Sequence, residues 1–224
     1  MKTVFLSYFL NESTPMYGNG NSFLRSNVRS ISNGDSANGA VWTFPNHIGT
    51  HIDLPFHFIH NGKTLSDYQP SFWKSKKIQI IEIPDVVENE LISNNRLQFI
   101  ESIDNRTSEM IFLKTGFGRY RGEEKYWKNN PGFLPETADF IRSLFPELKM
   151  LGFDFISLSS YQNRDIGREA HREFLKSDRP ILLIEDMNLT TVTPQTELNE
   201  CTVAPLLVEN ADGTPVTILA EIQS

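Results

Sequence analysis

The chain has 224 residues, with 39% hydrophobic content, sixteen Phe, one Cys and a formal net charge of -7. That length suits one domain with a substantial core. The acidic balance argues against nucleic-acid or anionic-membrane partners, since Lys74-Ser-Lys-Lys77 is too short to make a basic surface. A lone Cys201, in an apolar-leaning run, excludes a disulfide framework and a thiolate zinc cluster and reads as a buried structural thiol.

Residues 2–10 are aromatic and β-branched and read as a strand. No small-residue cleavage site follows them and no apolar stretch is long enough to span a bilayer, so a soluble cytoplasmic protein is expected. From Tyr17 to Gly39, Gly, Asn and Ser dominate and predict irregular structure or a twisted hairpin. A strand over 40–44 then leads into a histidine-rich stretch. Beyond it, Ser66 or Asp67 can cap a short helical turn, and 78–83 reads as a strand. Helical spacing runs over 94–103 with Ser93 or Asn94 as N-cap, and 110–115 is a strand entering the Gly116-Phe-Gly-Arg-Tyr loop. Residues 135–145 form a helix with Pro at its first turn. A strand at 150–156, a helix at 166–176, a polar turn at 176–179 and a core strand at 181–184 follow. Strands at 201–208 and 216–222 close the chain, with Asp212-Gly213 as their hairpin signal. Strands and helices intermix without a repeat or linker, which predicts one α/β or α+β domain over 1–224.

Three of the five histidines fall in His47-Ile-Gly-Thr-His51-Ile-Asp53-Leu-Pro-Phe-His57. On a straight strand these odd positions share a face, but His47 and His51 would stand about 13 Å apart. That is too far for two ligands of one ion, whose bonds are near 2.0–2.1 Å. A bend at Gly49-Thr50 folds His47 and His51 toward a common point, where Asp53 joins them. Imidazole and carboxylate suit Zn(II), Mn(II) or Fe(II); such an ion lowers the pKa of a bound water and polarises a carbonyl. His57 is placed to move the proton, and His60, out of phase, is assigned to the pocket rim. More ligands must come from elsewhere. His171 and Glu185 are the candidates, with Asp186 as the rival carboxylate, so the set can hold one ion or two with Asp53 as a bridge. Phe56, Phe58, Phe72 and Trp73 lie near the motif, and most of them are expected in the core.

The pattern His47-x-Gly-Thr-His51-x-Asp53-x-Pro-x-His57 resembles the signature of the cyclase-type metal-dependent hydrolases, which include bacterial kynurenine formamidase and isatin hydrolase. Leu6-Ser7, Thr14-Pro15-x-Tyr17, Lys114-Thr115-Gly116 and Gly152-x-Asp154-x-x-Ser157 resemble further parts of that family in order, as do His171 and Glu185-Asp186. The resemblance implies a compact α/β domain with a β-barrel-like core flanked by helices, assembled as a homodimer or larger homo-oligomer. It also implies His47, His51 and Asp53 on one metal ion, Asp53, His171 and Glu185 on a second, zinc or manganese as the metal, and His57 as proton shuttle. The implied activity is hydrolysis of a small amide-type C–N bond, in an arylformamide such as N-formylkynurenine or in a lactam. A non-catalytic metal- or ligand-binding protein on the same scaffold, or a biosynthetic cyclase, is the alternative.

Overall fold

The computed structural model describes residues 1–20, 22–176 and 178–223. Ser177, within the expected 176–179 turn, and Asn21, within the 17–39 segment, lie outside the described residues. The strands are β1 (Lys2–Phe5), β2 (Leu24–Arg29), β3 (Gly39–Thr43), β4 (His51–Asp53), β5 (Lys74–Ser75), β6 (Ile78–Glu82) and β7 (Leu91–Ile92), followed by β8 (Met110–Lys114), β9 (Gly132–Phe133), β10 (Met150–Phe153), β11 (Leu182–Glu185), β12 (Leu198–Pro205) and β13 (Gly213–Ile222). The helices are α1 (Asn94–Leu97), α2 (Lys125–Lys128), α3 (Thr137–Leu144) and α4 (Arg164–Leu175).

One mixed sheet organises the chain. Its order is β5-β12-β13-β4-β11-β10-β8-β6, with β1 also paired to β13, and β6 returns against β12 so that the sheet nearly closes into a barrel. β6, β8, β10 and β11 run parallel, which requires long crossovers; α3 lies in the connection from β8 to β10 and α4 in that from β10 to β11. The other half is antiparallel. Strands buried on both faces read as continuous apolar runs, and Met110–Leu113, Met150–Phe153 and Ile181–Ile184 are all buried. Phe133 and Phe174 pack against each other beside the stacked pair Phe153–Phe155, so part of the phenylalanine content fills the space between α4 and the sheet. Cys201 is fully buried on β12, and burial pushes its thiol up to about 12.

Several elements differ from the sequence expectation in extent. The first strand ends at Phe5, because Leu6 onward turns to meet Ile218 and Asn188 through the backbone. The 94–103 helix is α-helical only to Leu97 and continues as a 3-10 turn over Gln98–Ser102, with Ser93 as its N-cap. Near residue 66 the cap is Thr64, whose reciprocal partner is Asp67. The 17–39 segment does hold a hairpin strand: β2 and β3 form a two-stranded ribbon apart from the main sheet, with Leu24, Val28, Val41 and Trp42 exposed. No helix among the described residues is long and apolar enough to cross a membrane.

Candidate metal centre

The three-residue strand β4 sits between β11 and β13, antiparallel to both, and this register builds the site. Directly opposed residues share a face, so Glu185 stands beside His51, and Gly213 beside Asp53. Ile52 faces the other way into the core. The bend expected at Gly49 is present: its φ is +59°, a left-handed conformation that a side chain resists, and a Cβ there would meet Leu10 at 2.5 Å. The bend brings the His47 and His51 ring centroids to 5.3 Å. His171 arrives from α4, where the close approach of Gly167 to Ser159 sets the helix against the sheet.

The imidazoles are held in defined orientations. His51 Nδ1–H donates to the Gly49 carbonyl at 2.8 Å, and His171 Nδ1–H donates to the Gly167 carbonyl at 2.8 Å. Each Nε2 therefore turns inward. His51 Nε2 lies 3.5 Å from Asp53 and 3.4 Å from Glu185, and His171 Nε2 lies 3.4 Å from Asp53 and 3.3 Å from Glu185. Charge-assisted hydrogen bonds are shorter, about 2.7–2.9 Å. Two donors bonded at about 2.0–2.1 Å to one tetrahedral ion stand roughly 3.3–3.4 Å apart, which is the spacing found here. The donor chemistry agrees: Asp53 and Glu185 are two buried carboxylates facing each other across imidazoles, an arrangement that calls for a cation. The residues present fit a divalent ion. The groups His47–His51–Asp53 and Asp53–His171–Glu185 each bring their ligand atoms within 4.8 Å of one another, with Asp53 common to both.

Asp186 does not join them. Its φ of +51° turns the side chain away, where Arg121 grips it at 2.7–3.1 Å and the Tyr126 hydroxyl donates at 2.5 Å. Glu185 is fixed instead by the Leu158 N–H at 2.7 Å and the Ser157 hydroxyl at 3.3 Å. His60 is exposed and does not line the cavity, so it has no place at the rim.

The structure also adds Asp212, which the sequence offered only as half of a turn dipeptide. The backbone reverses earlier, at Glu209-Asn210, where Asn210 has a φ of +58°. Asp212 accepts from His57 Nδ1–H at 2.9 Å and His47 Nε2–H at 3.1 Å. Gly213 has no need of a left-handed backbone; it leaves room for His47, whose Cε1 would lie 2.2 Å from a Cβ there. His47 also contacts Asp53 at 2.8 Å through Nδ1 and stacks on His57 at 3.9 Å. Burial opposes charge on His47, but hydrogen bonds to Asp212 and Asp53 outweigh it and raise its pKa to about 10. The same opposition, resolved by Asp53 and Glu185, raises His171 to about 9. His57 goes the other way, lowered by burial and by neighbouring His47 and His171, although Asp53 and Asp212 pull against them. A neutral His57 that donates Nδ1–H to Asp212 keeps Nε2 free to accept a proton.

These side chains form the floor of a cavity of about 280 Å³, walled by Pro15, Tyr17, Phe58 and Ile156. Phe58 stacks on His171 with centroids 4.5 Å apart. Of the other aromatics near the motif, Phe72 and Trp73 pack with Tyr68 away from the cavity, and Phe56 is exposed.

A barrel-like α/β domain with clustered histidines and carboxylates that could hold a metal ion is the arrangement expected of the cyclase type, and direct comparison agrees on the family. Residues 4–160 match the model of the putative cyclase family, and the chain belongs to that family. It is 28% identical over 217 residues to a kynurenine formamidase of Geobacillus thermodenitrificans, covering 94% of this chain and 93% of the relative. An isatin hydrolase bound to the product analogue thioisatinate has the same fold, with a TM-score of 0.80 and 16% identity over 98% of this chain and 91% of that one. So does a potential metal-dependent hydrolase with cyclase activity, at a TM-score of 0.75 and 17% identity over 98% and 96% of the two chains.

Proposed function

We propose that the protein is a metal-dependent hydrolase that cleaves a small amide-type C–N bond, in an arylformamide such as N-formylkynurenine or in a lactam. The observation that carries this reading is the inward aim of His51 and His171, fixed by backbone carbonyls, onto two buried carboxylates at ion-ligand spacing. His47, His51 and Asp53 would hold one divalent ion, zinc or manganese, and Asp53, His171 and Glu185 a second. Such an ion supplies an acidified water and polarisation of the scissile carbonyl. The named activity of the Geobacillus relative supports the same bond type.

The chain's own residues do the rest. His57 Nε2 takes up a proton during attack and returns it to the leaving nitrogen, with Asp212 holding the ring by its Nδ1–H. Phe58 and Ile156 give a planar aryl group an apolar wall and keep bulk water from the floor. A homodimer or larger homo-oligomer accords with the exposed apolar side chains of the β2–β3 ribbon.

The test is a panel of formamides, lactams, lactones and esters, including N-formylkynurenine, with metal analysis of the purified protein. His51→Ala should lose both metal and turnover. His57→Ala should keep metal and lose about 10²–10⁴ in rate. A metal-loaded protein inert toward the whole panel would reject the hydrolase reading in favour of a binding protein.

A further inference from the structure

One wall of the cavity carries positive charge. Arg164, Arg168 and His171 follow one another on α4 at intervals of four and three residues, which places them along one helix face. All three line the cavity. With a rise of about 1.5 Å per residue, Arg168 lies roughly 4.5 Å and Arg164 roughly 10.5 Å along the axis from His171. The face thus runs outward from the histidine on the floor to two guanidinium groups at the mouth.

Arg164 is exposed, and its guanidinium lies against aromatic rings. Its guanidinium lies 3.9 Å from the centroid of the Tyr161 ring and 5.9 Å from that of Tyr17. Among the described residues no carboxylate pairs with it. Stacking on a ring fixes the plane of the fork and leaves its N–H edges for a ligand. Among the described residues Arg168 pairs only with Asp165, at 2.6 Å on the exposed side of the helix, a pairing of little worth that a better-placed anion can replace. The Tyr17 ring walls the cavity near Arg164, while its hydroxyl is buried away from solvent, and burial raises its pKa to about 12. Tyr17 is itself held edge-on to Tyr161 at 5.5 Å. A cation with no carboxylate partner among the described residues thus stands at one cavity wall in a protein of net charge -7.

From this arrangement we infer that the substrate carries a carboxylate, bound at the cavity mouth by Arg164 with Arg168, while its scissile bond lies on the histidine floor. In the hydrolase reading the floor is taken by the scissile bond, so the carboxylate belongs at the rim, where Arg164 and Arg168 stand. The axial offsets of about 4.5 and 10.5 Å set the two arginines beyond the floor, a separation that a benzene ring with its two substituents in para positions can bridge. The substrate class is therefore an aryl amide or formamide bearing an acid group across the ring. This rests on the hydrolase reading for the same cavity.

The test pairs 4-formamidobenzoate with 4-formamidobenzamide, which differ only in charge, against wild type, Arg164→Gln and Arg164→Lys. Wild type should favour the carboxylate by at least about tenfold in KM, the scale of one charge-assisted hydrogen bond. Arg164→Gln should abolish most of that preference, and Arg164→Lys should restore part of it. No preference in wild type, or an equal loss on both substrates in Arg164→Gln, overturns the inference. A second arm needs no turnover: calorimetric binding of 4-aminobenzoate and 4-aminobenzamide to the metal-loaded protein. If neither formamide is hydrolysed, the hydrolase reading is what has failed, and the ratio of the two affinities, with its loss or persistence in Arg164→Gln, still decides whether the rim selects a carboxylate.

Discussion

Gly213→Ala adds one methyl group at the point where the two halves of the site are fitted together. Gly213 pairs with Asp53 across β4, and a Cβ there would stand 2.2 Å from His47 Cε1 and 2.9 Å from both ring nitrogens. Carbon atoms in comfortable contact are about 3.5–4.0 Å apart, so the imidazole must retreat by more than about 1 Å. Ligand positions tolerate only about 0.2 Å, and a misplacement near 1 Å costs about 10²-fold in rate. The backbone of Gly213 does not have a positive φ, so alanine is acceptable to the strand itself and lowers the entropy of the unfolded chain. The expected result is a folded protein that loses about 10²-fold in kcat/KM and its ion at His47, while Asp53, His171 and Glu185 keep theirs. Circular dichroism, elemental analysis and kinetics on the same preparation measure all three. Gly122→Ala is the control, since a Cβ there meets nothing within 4 Å. Wild-type metal content and turnover in Gly213→Ala would refute the assignment of His47 to the centre.

Other consequences follow from the same geometry. Asp212→Asn should retain the metal held by Asp53, His171 and Glu185, because Asp212, which clusters with His47 and His57, is not part of that buried group, yet lower kcat by about 10–100-fold through a mis-set His57; unchanged kcat would remove Asp212 from proton transfer. Without an ion, His47 (about 10) and His171 (about 9) are protonated at pH 7. Their folded-state pKa values are raised, so the stability they give the metal-free protein is complete below about pH 6.5 and is lost as pH rises through 9–10. An ion must displace these protons, so its apparent affinity should climb between pH 7 and 9 by up to about 100-fold per unit for two protons. Calorimetry in buffers of different protonation enthalpy counts them, and zero release would contradict the proposed ligand set. Light scattering should report a mass that is a multiple of 25.6 kDa, and Trp42→Glu should shift it toward the monomer if the ribbon is the contact; a monomeric wild type would end that reading.

The local half of the site was legible in the sequence because its constraints are local. His47, Gly49, His51 and Asp53 lie within seven residues, and the separation of His47 from His51 on a straight strand demanded the bend that Gly49 makes with its φ of +59°. His171 and Glu185 came into view through family resemblance, since no local rule says that α4 and β11 return to β4. The choice of Glu185 over Asp186 depended on a left-handed backbone at Asp186 and on the waiting Arg121 and Tyr126, which only the assembled fold reveals. Asp212-Gly213 marked the right hairpin, but their second role was not legible, because a turn dipeptide and a pair shaped around a histidine use the same letters. Nothing in the sequence around Arg164 and Arg168 marks them as part of a site. Their spacing to His171 acquired meaning once the cavity put that face to use.

The central claim is that five side chains bind divalent metal for hydrolysis. Its most direct test is arylformamide hydrolysis by chelator-stripped protein before and after return of a single divalent metal. The account predicts no turnover when stripped, recovery in wild type on reloading and no recovery in His51→Ala. Full activity in the stripped protein, or in His51→Ala, would contradict it.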